Sequence, residues 1–195
     1  MVAVHSTMLP LGTPVPQFSL PDAVTGRLVT PADFTGKSAL LVAFICNHCP
    51  FVVHIREQMT TLIKEFQPRG LAAVAICSND VDKYPEDSPS QMAALARKLG
   101  FTFPYLFDEK QQAARAYHAA CTPDFYVFDA ARRLVYRGRF DETRPGRAEP
   151  VTGADLRAAL EAALAGKGIA ESAQKASVGC NIKWKRGQEP PWFPA

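Results

Sequence analysis

ALLVAFICNHCPFVVHI, residues Ala39 to Ile55, is an apolar run that breaks at two cysteines and resumes after a proline. Ser38–Ile45 is continuously apolar after its first residue instead of alternating, which predicts a strand buried on both faces. From Pro50 to Phe66 the apolar side chains Ile55, Met59, Leu62, Ile63 and Phe66 fall at helical spacing. Pro50 suits the first helical turn, where its missing N–H has no partner to lose. Cys46, His48 and Cys49 therefore stand at the seam between a buried strand and a helix. That placement is open to three readings: a thiol–disulfide redox pair, part of a metal site, or two small packed residues beside an incidental histidine.

Outward from the seam, the pattern continues as alternating strands and helices. Gly12–Pro16 reads as a loop, and Gln17–Leu20 with Arg27–Val29 as a short hairpin about the Asp22–Gly26 turn. Leu71–Cys77 predicts a second buried strand. Ser88-Pro89 opens a helix with a cap residue and a first-turn proline; Met92, Leu95, Ala96 and Leu99 form its inner stripe, and Gly100 ends it. A short strand at Tyr105–Phe107 and a helix over Gln111–His118 follow. Asp124–Asp129 and Leu134–Arg139 pair as a hairpin, and Thr152 with Asp155 opens a helix to Leu164. From Gly166 the periodicity is lost, so residues 1–166 are expected to form one domain and 167–195 an irregular tail packed on or near it. The order βαβ, αβα, ββα predicts a mostly parallel central sheet covered on both faces, with an antiparallel hairpin at one edge.

Charge narrows the function classes. Residues 1–166 carry 17 basic and 17 acidic side chains, so the net +3 lies in the tail, at Lys167, Lys175, Lys183, Lys185 and Arg186 against Glu171 and Glu189. Five dispersed cations are too few for a nucleic-acid surface and read as a solvated segment. The longest apolar run, Ala39–Cys46, has eight residues, against the roughly 20 that span a bilayer. The first residues, MVAVHSTMLPLGTPVP, have no basic stretch followed by an apolar core, so no export signal is expected and the default compartment is the cytoplasm. Thiols there stay reduced, and a CxxC pair reads as redox or metal chemistry, not as a structural staple.

CxxC at a helix start suits thiol chemistry. Positions i and i+3 bring the sulfurs together over the first turn, and the unpaired N–H groups there favour a thiolate. Cys46 is expected to be the outer, acidic, attacking thiol, and Cys49, inside the helix, the resolving one. His48 would add positive charge when protonated. A metal site on Cys46, His48 and Cys49 needs further ligands at short spacing, and Cys77, Cys121 and Cys180 are scattered. Cys77, at the end of a buried strand, reads as a packed residue.

Three motifs together resemble one family. FICNHCP (Phe44–Pro50), ACTPDFYVFD (from Ala120, with Cys121–Asp129 at its heart) and SVGCNIKWK (Ser177–Lys185) are similar to the AhpC/TSA, or redoxin, branch of the thioredoxin superfamily. The similarity runs from GTPVPQFSLPD at Gly12 into the tail. It implies a thioredoxin fold with an α-β insertion at about Asn79–Phe107, and it implies that Pro123 is a cis proline facing the cysteine pair. Thr122-Pro123 also sits where a strand accepts proline, at its first residue. The family's peroxide-binding pattern, Pro-x-x-x-Thr-x-x-Cys, is absent: the two positions hold Ala39 and Ala43 counted from Cys46, and Val42 and Cys46 counted from Cys49. Nor does Ser38–Ile45 contain the acid that thioredoxin buries ahead of its cysteines.

The expectation is thus a thiol–disulfide oxidoreductase working through Cys46, Cys49 and His48, with Thr122 and Pro123 holding an extended substrate segment by strand-like hydrogen bonds. Its partners would be protein disulfides or small thiols, with a thioredoxin or glutathione system as reductant, and it would need no cofactor or metal. Cys121 and Cys180 are candidate additional redox thiols. The alternatives are a thiol peroxidase of the same family and a non-catalytic metal-binding or redox-sensing module.

Overall fold

The computed structural model describes residues 3–193; Met1, Val2 and the last two residues of the EPPWFPA tail, Pro194 and Ala195, lie outside it. The chain runs β1 (Ala3–His5), β2 (Leu20–Pro21), β3 (Leu28–Val29), β4 (Ala39–Phe44), α1 (Pro50–Phe66), β5 (Leu71–Cys77), α2 (Pro89–Leu99) and β6 (Tyr105–Phe107). It continues through α3 (Gln112–Ala116), β7 (Cys121–Thr122), β8 (Asp124–Phe128), β9 (Leu134–Gly138), α4 (Ala154–Leu164) and β10 (Val178–Asn181). The central sheet has the order β6-β5-β4-β8-β9, with β4, β5 and β6 parallel and β8 and β9 antiparallel to their neighbours.

The sheet is buried on both faces, as the unbroken apolar strands require. Leu41, Ala43 and Ile45 face α1, α2 and α4 through Ile55, Met59, Met92 and Leu160. Leu40, Val42 and Phe44 face the other way, onto Tyr117, Tyr126, Phe18 and Trp184. Phe44 and Tyr126 each meet the Tyr117 ring at 5.4 Å between centroids. Burying each such side chain contributes ~1.5–3 kcal/mol before packing terms. This is a mixed α/β thioredoxin fold, and the insertion between its halves carries the turn Pro85–Asp87, α2 and β6.

Three expectations change. The helix after β6 covers only Gln112–Ala116, because Gln111 adopts φ 58° and turns its buried side chain onto the tail. The last helix starts at Ala154: Asp141 Oδ2 accepts the N–H groups of Thr152 at 2.9 Å and Gly153 at 2.8 Å, and Thr152 Oγ1 accepts that of Ala154 at 3.3 Å.

The third change is the tail. It is neither irregular nor solvated throughout: β10 lies between β1 and β7 in a second, three-stranded antiparallel sheet, while Lys167, Lys175 and Arg186 stay exposed. Ile182 and Trp184 enter the main core. Buried polar groups clamp it in place. The Lys183 N–H donates to Asn79 Oδ1 at 2.8 Å, its carbonyl accepts from Asp80 N–H at 2.8 Å, and Gln111 Nε2 donates to the same carbonyl at 2.9 Å. Lys183, counted from sequence among the solvated cations, is buried, with Nζ donating to the Asn181 carbonyl at 2.8 Å and lying 5.7 Å from the Tyr84 ring centre. Among the described residues no helix is long and apolar enough to cross a membrane.

Candidate active site

Cys46 leaves the end of β4 and Cys49 precedes α1, so the pair stands where the sheet delivers it. Helix α1 begins at Pro50, which makes Cys49 its N-cap residue, and the Cys49 carbonyl accepts the first intrahelical bond from Val53 N–H at 2.9 Å. This corrects the expectation that Cys49 lies inside the helix. Facing the pair is Thr122, joined to Pro123 by a cis peptide bond as the sequence suggests. Cys46 Sγ lies 3.4 Å from Thr122 Oγ1, and Cys49 Sγ lies 3.1 Å from the Thr122 carbonyl oxygen.

Both sulfurs are buried, so Cys46 is not the exposed thiol anticipated from sequence. Nor does the negative charge fall on it. The Cys180 and Cys46 thiols donate to Cys49, and the Val52 amide adds to them, so Cys49 is held well below the ordinary thiol range against the cost of its burial. As donors, the other two stay protonated: the bond to Cys49, then burial, then the Asp87 charge push Cys46 up, while the bond to Cys49 and burial do the same for Cys180. The contribution from the helix start, through the Val52 amide in the first turn of α1, is the smaller one and acts on Cys49.

His48 does not sit free beside the thiols. Its Nδ1 lies 2.8 Å from Asp87 Oδ2, and its ring stacks on Tyr84 with centroids 5.2 Å apart. The hydrogen bond to Asp87 is the main cause that raises its pKa above the ordinary 6.5. Asp87, which sequence reasoning did not single out, is fully buried at the end of the Pro85–Asp87 turn. Its Oδ1 accepts from the Asn47 N–H at 2.7 Å and its Oδ2 from Asn79 Nδ2 at 2.7 Å. The loop between the cysteines is further fixed by Tyr105 OH donating to Asn47 Oδ1 at 3.1 Å and Asn47 Nδ2 donating to the Glu86 carbonyl at 2.8 Å. The insertion thus supplies polar support to Asn47 and His48 between the cysteines. Cys46, His48 and Asp87 bring ligand-type atoms within 4.8 Å of one another. This set replaces the Cys46, His48 and Cys49 combination considered from sequence, but both Asp87 oxygens already accept hydrogen bonds, from Asn47 and Asn79.

Of the other thiols, Cys77 is core, raised by burial. Cys121 is fully buried, held protonated first by burial and then by the Asp124 and Cys49 charges, and its thiol donates to the Pro123 carbonyl at 3.8 Å. Cys180 is opposite Thr122 in the β10–β7 pair. That pairing overturns the expected substrate groove: the edge at Cys121–Thr122 is already taken by the protein's own β10. Behind it, Asp124 is a second buried acid missed from sequence, accepting from Ser6 Oγ at 2.9 Å and Tyr126 OH at 2.8 Å, and pushed up to about 6 by burial.

A thioredoxin-like sheet that presents two adjacent thiols to the residue before a cis proline defines a redoxin. The chain belongs to the AhpC/TSA family, whose profile matches residues 11–137. Members of this family are redox enzymes, thiol oxidoreductases and peroxidases, and thioredoxin-fold redoxins act on protein disulfides or thiols. An uncharacterized conserved protein from Geobacillus kaustophilus superposes with a TM-score of 0.92 at 49% identity, covering 95% of this chain and 98% of that one. A hypothetical protein from Sinorhizobium meliloti 1021 gives 0.91 at 51% identity, covering 94% and 99%. A thiol:disulfide interchange protein of Chlorobium tepidum TLS shares the fold, with a TM-score of 0.61 at 21% identity over 80% of this chain and 99% of its own. Comparison with curated proteins finds no match.

Proposed function

We propose that the protein is a thiol–disulfide oxidoreductase whose working couple is Cys46–Cys49. What carries this reading is the shared contact of both sulfurs with Thr122, at 3.4 Å from Cys46 and 3.1 Å from Cys49, which holds the pair together at the start of α1. The cysteine pair is complete for exchange with a disulfide, whereas the hydroxyl and proline of a peroxide pocket are missing at Ala43 and Ala39.

In the reduced state the two thiols share one negative charge across the hydrogen bond between them, and the Cys46 proton leaves through Cys49 only as Cys46 attacks. Cys46 Sγ attacks one sulfur of the partner disulfide, and the departing partner thiolate takes up the proton relayed through Cys49. Cys49 thiolate then attacks Cys46 Sγ, releasing the second partner thiolate and leaving Cys46–Cys49 oxidised. Two electrons pass from the pair to the partner, and the reverse sequence oxidises a partner dithiol. The partner approaches over Asn47 and His48, which line an open groove of ≈ 380 Å³ with Glu86, Gln91, Leu95 and Lys98. Protein disulfides or small thiols in the cytoplasm are the substrates this chemistry suits.

Equilibration in glutathione buffers of graded potential, followed by acid quench and thiol alkylation, tests the reading. A reversible two-electron couple that disappears in both Cys46→Ser and Cys49→Ser is expected. Absence of a Cys46–Cys49 linkage at any potential overturns it.

A further inference from the structure

The proposed couple uses two sulfurs, but three converge at this site. Cys180 is 4% exposed and belongs to the same core cluster as Cys46 and Cys49. Its position is fixed by backbone packing. In the antiparallel β10–β7 pair Cys180 is the direct partner of Thr122, and Cα atoms so paired lie ~4.5–5.5 Å apart. The carbonyl of Thr122 is in turn 3.1 Å from Cys49 Sγ. Strand β10 gets this close because its neighbour is Gly179: a Cβ there would stand 2.0 Å from the Thr122 oxygen. Thr122 thus links all three sulfurs' residues: Cys46 Sγ at 3.4 Å from its hydroxyl, Cys49 Sγ at 3.1 Å from its carbonyl, and Cys180 through the strand pairing. Neither remaining cysteine shares this position, since Cys121 faces the Pro123 carbonyl and Cys77 lies in β5.

Resting on the exchange reading, we propose that Cys180 is a third redox thiol, which takes Cys49 from Cys46 once that pair has been oxidised. The Cys180 sulfur attacks Cys49 Sγ, the Cys46–Cys49 bond breaks, and a Cys49–Cys180 bond forms. The proton lost by Cys180 ends on Cys46, so the sum is one disulfide and one thiol on each side, with no net oxidation. Thr122 Oγ1, 3.4 Å from Cys46 Sγ, is placed to donate to the departing sulfur. The outcome is that Cys46 returns to the reduced state while the oxidising equivalents are held between the α1 N-terminus and β10. The strand occupying the family's expected substrate edge thereby acts as an internal substrate.

The test is disulfide mapping on the full-length wild-type chain. Reduced protein is exposed to one equivalent of hydroxyethyl disulfide, quenched with acid at successive times, alkylated and digested with trypsin. Cys46 and Cys49 fall in one peptide, Ser38–Arg56, and Cys180 in another, Ala176–Lys183. Early samples are expected to hold the linkage within Ser38–Arg56. Later ones are expected to shift to a cross-link between the two peptides through Cys49, with Cys46 alkylated. If the first linkage forms and persists while Cys180 is alkylated throughout, the third-thiol proposal is overturned and the exchange reading stands. A cross-link through Cys46 also overturns the relay. If no linkage forms within Ser38–Arg56 at any time, both readings fall. Cys180→Ser is expected to stop at the first linkage; because the wild-type time course decides by itself, a misfolded variant does not obscure the result.

Discussion

At the scale of single residues, the site inverts the usual assignment of its two cysteines. Because Cys49 caps α1 and accepts from both neighbouring thiols, the low-pKa thiolate is expected to survive in Cys46→Ser and to vanish in Cys49→Ser. Thiolate absorbance at 240 nm across a pH series measures this, and the opposite pattern would restore Cys46 as the acidic thiol. The His48–Asp87 pair has its own pH signature. Since Asp87 raises the folded-state pKa of His48, the stability it contributes is fully present below the ordinary value of 6.5 and is lost as pH rises through the folded value. Asp87→Asn should therefore lower the His48 pKa seen by NMR, and its denaturation penalty, ~1–3 kcal/mol for a broken buried polar contact, should be larger at pH 6 than at pH 9. Equal penalties at both pH values would remove the ion pair from the account. The cysteines and His48 were legible as a group because CxxC spacing is itself a chemical signal. Asp87 was not: it is one of four acids in NDVDKYPEDSP, and nothing in their order marks which is buried.

Among the elements, the ones with long apolar runs or clear caps were read from the chain almost residue by residue, β4, α1, β5 and α2 above all. The second sheet escaped notice for a physical reason. Its strands have three, four and two residues, contain Gly179 and Asn181, and gain their stability from partners far off in sequence, not from local pattern. What their packing demands is nonetheless sharp. Gly179→Ala sets a methyl against the Thr122 carbonyl, which is backbone and cannot rotate away. Overpacking of this kind costs ~1–3 kcal/mol, and amide exchange should accelerate selectively over Val178–Ile182. Native exchange rates in the variant would refute the close approach as a determinant of the fold.

For the whole molecule, the balance of disulfide against peroxide chemistry follows from what surrounds the sulfurs. Peroxide reduction needs donors aimed at the charge developing on the leaving oxygen. Among the described residues, the hydroxyl next to Cys46 is that of Thr122. Stopped-flow oxidation should therefore be slower with hydrogen peroxide than with a small disulfide at equal concentration; a faster peroxide reaction would shift the assignment to a thiol peroxidase. The docked tail has a different consequence. The chain's two tryptophans are Trp184 and Trp192, packed edge to face at 6.0 Å, with the Arg115 guanidinium 5.2 Å from the Trp184 ring centre. The first of them is three residues beyond the end of β10. Intrinsic fluorescence from this protein is therefore a built-in optical gauge of the segment that carries Cys180, readable without a label while the thiol chemistry proceeds.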